Sequence, residues 1–242
     1  MFDMKSEQLL DAGGTPSGFR AVWKKYRNYF TILYLPAYLA AFFLVEHIVT
    51  DAVPFLSTVL PVDSLIPFCE WAIVPYMLWF PLMVIVGLYL LFTDDKALAR
   101  YMRFLAIGFF STILFCFLVP NGTAADFRPD LEALGRVNPA TKMCGAIYSA
   151  DTYTNVLPSI HVVGSFMSLF GFLDSKIRKN KTLLVLISIL AALIIASTVL
   201  VKQHAVIDIV VGIVWSLADG AIIYLPGLLK KRKAAKEEKA NG

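Results

Sequence analysis

Residues 183–208 read LLVLISILAALIIASTVLVKQHAVID. The segment 183–201 carries no charged residue, and it is close to the ~20 residues a helix needs to cross about 30 Å of hydrocarbon. That half decides the fold class: the segment predicts a membrane-spanning helix. The other half raises a chemical question, because Lys202, His204 and Asp208 follow at once. Ionisable groups at the edge of a bilayer are costly and default to function.

The rest of the chain agrees with a membrane reading. Of 242 residues 58% are hydrophobic and only 17% charged, with a mean hydropathy of +0.68, whereas soluble domains run near a quarter charged. The apolar residues form six blocks, at 30–49, 71–92, 104–119, 156–173, 183–201 and 205–229. They predict an all-α, polytopic membrane protein with six transmembrane helices. Three regions follow: a cytoplasmic tail over 1–29, a six-helix membrane domain over 30–229 and a basic cytoplasmic tail over 230–242. Pro36, Pro75, Pro81 and Pro226 lie in or near the blocks and read as kinks, since neighbouring helices can satisfy freed carbonyls.

Orientation follows from Lys and Arg, which stay on the cytoplasmic side of short flanks. The basic clusters are Arg20, Lys24, Lys25 and Arg27; then Lys96, Arg100 and Arg103; then Lys176, Arg178, Lys179 and Lys181; then Lys230 to Lys233. They alternate with segments poor in positive charge, of which 50–70 holds Asp51, Asp63 and Glu70 without a Lys or Arg. Both termini are therefore expected in the cytoplasm. The net charge of +4 is insertion asymmetry and not a nucleic-acid footprint. The stretch FRAVWKKYRNYF at 19–30 reads as an interfacial amphipathic collar, and no cleavable signal peptide is expected ahead of it.

Cys69, Cys116 and Cys144 have no metal-ligand spacing. Cys116 reads as an apolar filler, and whether Cys69 and Cys144 pair on the outer side stays open. Three histidines without clustered carboxylates are too few for a catalytic metal site, so no cofactor is expected. His47 beside Glu46 reads as an interfacial polar group, and Asp219 as hydrogen-bonded glue between helices or part of a polar path.

The long outer segment from Pro120 contains NGTAADFRPDL and leads into PSIH, while the next outer turn is STVLVKQHAVID. Arg128, His161, Lys202 and His204 thus reach the same membrane face from distant points in the chain. Asp208 stands at i, i+4 from His204, where its carboxylate can meet the imidazole. Such a carboxylate fixes the ring tautomer and raises the basicity of the other nitrogen, which can act as nucleophile or base. A second histidine can then serve as acid. The planar fork of Arg128 suits a phosphoryl group, with Ser159 and Lys202 able to complete an anion cradle. Along the last helix His204, Asp208, Gly212, Ser216 and Gly220 form one ridge of small residues that lets a neighbour approach closely.

On these residues the chain resembles the type 2 phosphatidic acid phosphatase superfamily. That family's pattern is Lys, six residues, Arg-Pro; then Pro-Ser-Gly-His; then Ser-Arg, five residues, His, three residues, Asp. Arg128-Pro129, Pro158-Ser159-Ile160-His161, and Ser197 with His204 and Asp208 match it in order. Asn121 stands in place of the Lys, Ile160 of the Gly and Thr198 of the Arg. Lys202, two residues before His204, resembles the arrangement in the inositol-phosphoceramide-type and sphingomyelin-type phosphotransferases.

The resemblance implies metal-independent phosphoryl transfer through a phosphohistidine at His204, oriented by Asp208, with His161 as acid and then base. The implied phosphate cradle is Arg128, Ser159 and Lys202, with Asn121 at the family's Lys position. The implied substrate is a phospholipid, a polyprenyl diphosphate or a related lipid phosphate at the outer face of the plasma membrane. A non-enzymatic protein that binds or transports an anionic lipid or solute is the alternative; it should show polar residues continuing through the membrane.

Overall fold

The computed structural model describes residues 33–50 and 52–241. Its helices are α1 (Tyr34–Ile48), α2 (Ile73–Met77), α3 (Trp79–Thr93), α4 (Asp95–Leu118), α5 (Pro139–Ala150), α6 (Ile160–Asp174), α7 (Lys181–Leu200) and α8 (Val206–Asn241). Two short strands, β1 (Leu56–Ser57) and β2 (Asn121–Gly122), pair in parallel. They tie the connection after α1 to the connection after α4. The collar expected at 19–30 lies outside the described residues.

Four helical segments among the described residues are long and apolar enough to cross a membrane: Glu70–Thr93, Asp95–Leu118, Lys181–Leu200 and Val206–Leu229. The protein is a multi-pass, all-helical membrane protein. The other two expected spans are shorter apolar helices, Pro36–Ile48 and Ile160–Asp174. At 1.5 Å per residue, α6 reaches only about 22 Å. It starts late because the chain through Val156, Leu157 and Pro158 is buried but not helical.

Three boundaries depart from the hydropathy blocks. The third span begins at Asp95 and not at 104, because the Asp94 carboxylate accepts from the Lys96 and Ala97 amides and caps the helix there. Lys96, Arg100 and Arg103 therefore sit on the first turns of α4 and not in a loop, and Arg100 pairs with Asp174 at the end of α6. The second span is interrupted at Leu78, between Pro75 and Pro81, where α2 passes into α3. The basic tail is no separate segment: α8 continues to Asn241. Residues of high helix propensity fill this extension, and Lys233 and Glu237 pair at i, i+4.

Helix α6 lies at the centre, packed against α3, α4, α7 and α8. Its buried Val163 and Met167 join Met83, Val86, Phe104, Phe109, Ile194 and Ile223 in the main core. The ridge of small residues on α8 meets it closely. A Cβ on Gly212 would lie 2.9 Å from Val162 Cβ, and one on Gly220 2.8 Å from the Phe170 ring. A second core gathers Ile73, Tyr76, Ala140, Cys144 and Val201, placing the amphipathic α5 against α2. Cys69 and Cys144 are free thiols, and buried Cys116 donates to the Leu157 carbonyl. Asp219 is buried beside Gly108, and its Oδ2 has no hydrogen-bond partner among the described residues.

Gly164 controls how α3 meets α6. A Cβ there would stand 2.4 Å from Trp79 Nε1 and 2.6 Å from Met83 Sδ, so a larger residue must move an indole. Overpacking of this kind costs roughly 1–3 kcal/mol. Gly164→Val is expected to lower the melting midpoint in detergent, followed by tryptophan fluorescence. Gly227→Ala, inside α8 where nothing lies within 4 Å, should not lower it, since alanine favours the helix.

Candidate active site

The N-terminal end of α6 is set by Asn121. Its Oδ1 accepts from the amides of Val156 (3.0 Å) and Leu157 (2.8 Å), and its Nδ2 donates to the carbonyls of Val119 (2.8 Å) and Leu157 (3.3 Å). The extended segment before Pro158 is thereby clamped, and Ser159 and His161 enter α6 in a fixed place. Tyr76 and Trp79 cover the His161 ring, with centroids 4.4 Å and 4.5 Å away.

The second histidine comes from the turn between α7 and α8. The Thr198 carbonyl accepts from the amides of both Gln203 (3.0 Å) and His204 (3.1 Å), while Lys202 takes a left-handed φ of 55°. The turn is therefore tight, and it places the His204 ring 5.5 Å from that of His161. Asp208 is fully buried. Its Oδ2 lies 3.5 Å from His204 Nδ1 and accepts from the Ala205 amide at 2.8 Å. Its backbone carbonyl accepts from the Ser159 amide at 3.2 Å, which joins the start of α8 to the start of α6.

Arg128 approaches from the long segment between α4 and α6. Its Nη1 donates to the carbonyls of Asp151 (2.9 Å) and Tyr148 (3.4 Å), and its Nη2 to the carbonyl of Thr152 (2.6 Å) and to Gln203 Oε1 (2.7 Å). The guanidinium also lies over the Tyr148 ring, 4.8 Å from its centroid. Burial pushes the Arg128 pKa down, opposed by the Asp151 carboxylate. Burial pushes the Asp151 pKa up, opposed by Arg128 and His204. These three groups therefore act on one another electrostatically.

A family model for the PAP2 superfamily, the type 2 phosphatidic acid phosphatases, matches residues 101–227. The chain belongs to that superfamily. No curated protein matches it. The matched region contains Asn121, Arg128, Ser159, His161, Gln203, His204 and Asp208, while Tyr76 and Trp79 lie ahead of it.

Of the residues expected from the sequence, the structure brings His161, His204, Asp208, Ser159 and Arg128 to one place on the PAP2 scaffold. Two others it uses differently. Asn121, expected at the family's Lys position, has both ends of its amide bound to backbone and so clamps the chain before Pro158. Lys202 is 9% exposed, and its Nζ donates to the carbonyls of Asp63 (3.0 Å) and Ile66 (2.7 Å). Its ammonium borders a different crevice, lined by Leu60, Asp63, Asp126 and Phe127. The long stem follows these carbonyls because an orphaned buried carbonyl is costly. Burial lowers its pKa, against the pull of Asp63. Arg136, another outer cation, pairs with Glu70 at 3.2 Å.

Gln203, Asp151, Glu46, Tyr76 and Trp79 escaped the sequence reading. Glu46 accepts from Thr152 Oγ1 and Asn155 Nδ2, so it braces the segment that carries Arg128's carbonyl partners. Gln203 had a signal, its place beside His204 in a short turn, but an uncharged amide does not stand out among cations.

If the Lys202 ammonium serves the two carbonyls, Lys202→Met should cost about 1–3 kcal/mol of stability, the desolvation penalty of unpaired buried groups. The expected result is a lower melting midpoint with turnover reduced less than tenfold. A hundredfold loss of turnover at an unchanged midpoint would put the ammonium on the phosphoryl group instead.

Proposed function

We propose that this protein is a lipid phosphatase or head-group phosphotransferase that works through a phosphohistidine at His204. Members of the PAP2 superfamily are phosphatases or phosphotransferases. The observation that carries the reading is the buried His204–Asp208 pair facing a second histidine across 5.5 Å between ring centroids.

With Asp208 at Nδ1, the His204 proton resides on that nitrogen, leaving the Nε2 lone pair free to attack phosphorus. As the N–P bond forms, the bond from phosphorus to the leaving oxygen breaks, and His161 donates the proton that oxygen needs. In the second half His161 takes a proton from water, or from an acceptor alcohol. The resulting nucleophile forms the new O–P bond, the N–P bond breaks, and His204 is regenerated. Water as acceptor gives a hydrolase, and an alcohol gives a transferase. Ser159 and Arg128 stabilise the charge that spreads over the non-bridging oxygens. The substrate head group lies at the outer end of α6 and α8, which the charge asymmetry of the flanks assigns to the extracytoplasmic side.

The test is turnover by purified protein in detergent on phosphatidate, polyprenyl diphosphate and phospholipids, scored for released phosphate and for transferred head group. His204→Ala should insert and fold yet lose several orders of magnitude in turnover, and wild-type turnover should persist in chelator. Full activity of His204→Ala would end the phosphohistidine reading, whereas a wild-type protein that turns over none of these lipids would leave the histidines as solute ligands. For the membrane face, single cysteines replacing exposed Ser57 and Lys236 in a cysteine-free background serve as probes. The one at 57 should react with an impermeant thiol reagent from outside intact cells, and the one at 236 should not. Reversed labelling would move the site to the cytoplasmic face.

A further inference from the structure

Arg128 Nε, Ser159 Oγ, His161 Nδ1 and Gln203 Nε2 are buried polar atoms with no hydrogen-bond partner among the described residues. Interiors satisfy nine in ten or more of such groups, so a concentration of them around the histidine pair marks where a polyvalent acceptor binds. Gln203 is the least expected member. It is 2% exposed and its orientation is forced: Arg128 Nη2 can only donate, so the oxygen of the amide must face it, at 2.7 Å. Its Nε2 is left without an acceptor among the described residues, on the residue that directly precedes His204.

The charge around the pair is equally telling. The four Nη hydrogens of Arg128 already meet three carbonyls and Gln203, leaving Nε–H as its free donor. At 198, where the family carries Arg, the Thr hydroxyl donates to the Ile195 carbonyl at 2.8 Å. Lys202 and Arg136 are committed elsewhere. A buried dianion would be undercompensated here. A phosphoryl group with a single charge, matched by the one guanidinium of Arg128, is not.

We propose that Gln203 is a phosphoryl-oxygen ligand, held in register by Arg128, and that a cradle with Arg128 as its cation makes the site take singly charged phosphodiester lipids in preference to dianionic phosphate monoesters. This rests on the phosphoryl-transfer reading above. Arg128 is then chiefly the positioning residue for Gln203, and only its Nε–H touches substrate.

The experiment compares the full chain in detergent on phosphatidylglycerol, phosphatidylinositol and phosphatidylcholine as diesters, and on phosphatidate and a polyprenyl phosphate as monoesters. Wild type should have at least a tenfold higher kcat/KM on its best diester than on either monoester. Gln203→Ala should lower kcat on that diester about 100-fold, the scale of one preorganised donor. Gln203→Arg should raise the monoester-to-diester ratio at least tenfold. A merely structural role for Gln203 would depress both substrate classes together and leave that ratio unchanged. A wild-type enzyme that turns over a monoester faster than every diester, or no diester at all, overturns the proposal, as does near-normal kcat in Gln203→Ala. If His204→Ala stays active on the preferred lipid, the phosphohistidine reading itself fails. If His204→Ala is dead while Gln203 variants keep wild-type rates and ratios, only the role of Gln203 fails.

Discussion

Asp208 makes the contacts on which the rest of the site depends. Its carboxylate accepts from the Ala205 amide and stands against His204 Nδ1, while its own carbonyl receives the Ser159 amide. One residue thus closes the turn that carries His204, stands 3.5 Å from the imidazole and joins the starts of α6 and α8. A carboxylate in the first turn of a helix is favoured by the positive end of the helix dipole, which helps explain why full burial is tolerated. One turn on, Gly212 leaves room for Val162, so the two helices can stay close enough for the Ser159 bond to form.

Outside that pin, polar residues expected to touch substrate are used to build the frame. Asn121 holds the chain ahead of Ser159. Asp63 accepts from the Val206 amide through Oδ1 at 2.8 Å and from Leu60 through Oδ2 at 2.8 Å, and Lys202 returns to its carbonyl. The loop before α2 and the turn before α8 are thereby bound to each other on both sides of His204. A histidine held by backbone on both sides loses little freedom on reaching the reactive geometry, as preorganised catalysis requires.

Much of this was legible in the sequence, for identifiable reasons. Long uncharged runs such as 183–201 need no partner to be recognised, and the His204–Asp208 pair is a local i, i+4 relation. Boundaries were harder, because the basic residues near 100 signal topology without saying whether they lie in a loop or on a helix; the Asp94 cap decides that. The amphipathic α5 was hidden in a segment read as a loop. Side-chain direction was hidden as well. Whether Lys202 meets a phosphate or two carbonyls depends on residues 63 and 66, far away in the chain. Glu46 and Asp151 likewise become neighbours of Arg128 only once α1 and the outer segment are packed.

The central claim is that His204 becomes covalently phosphorylated during turnover. The direct measurement is mass spectrometry of protein mixed with its lipid substrate, quenched in alkali and digested within seconds, since phosphohistidine survives base and is lost in acid. A substrate-dependent phosphoryl or phosphodiester adduct on His204, gone after acid treatment, is the predicted result. An adduct on another residue, or steady turnover with His204 unmodified at every quench time, would contradict it.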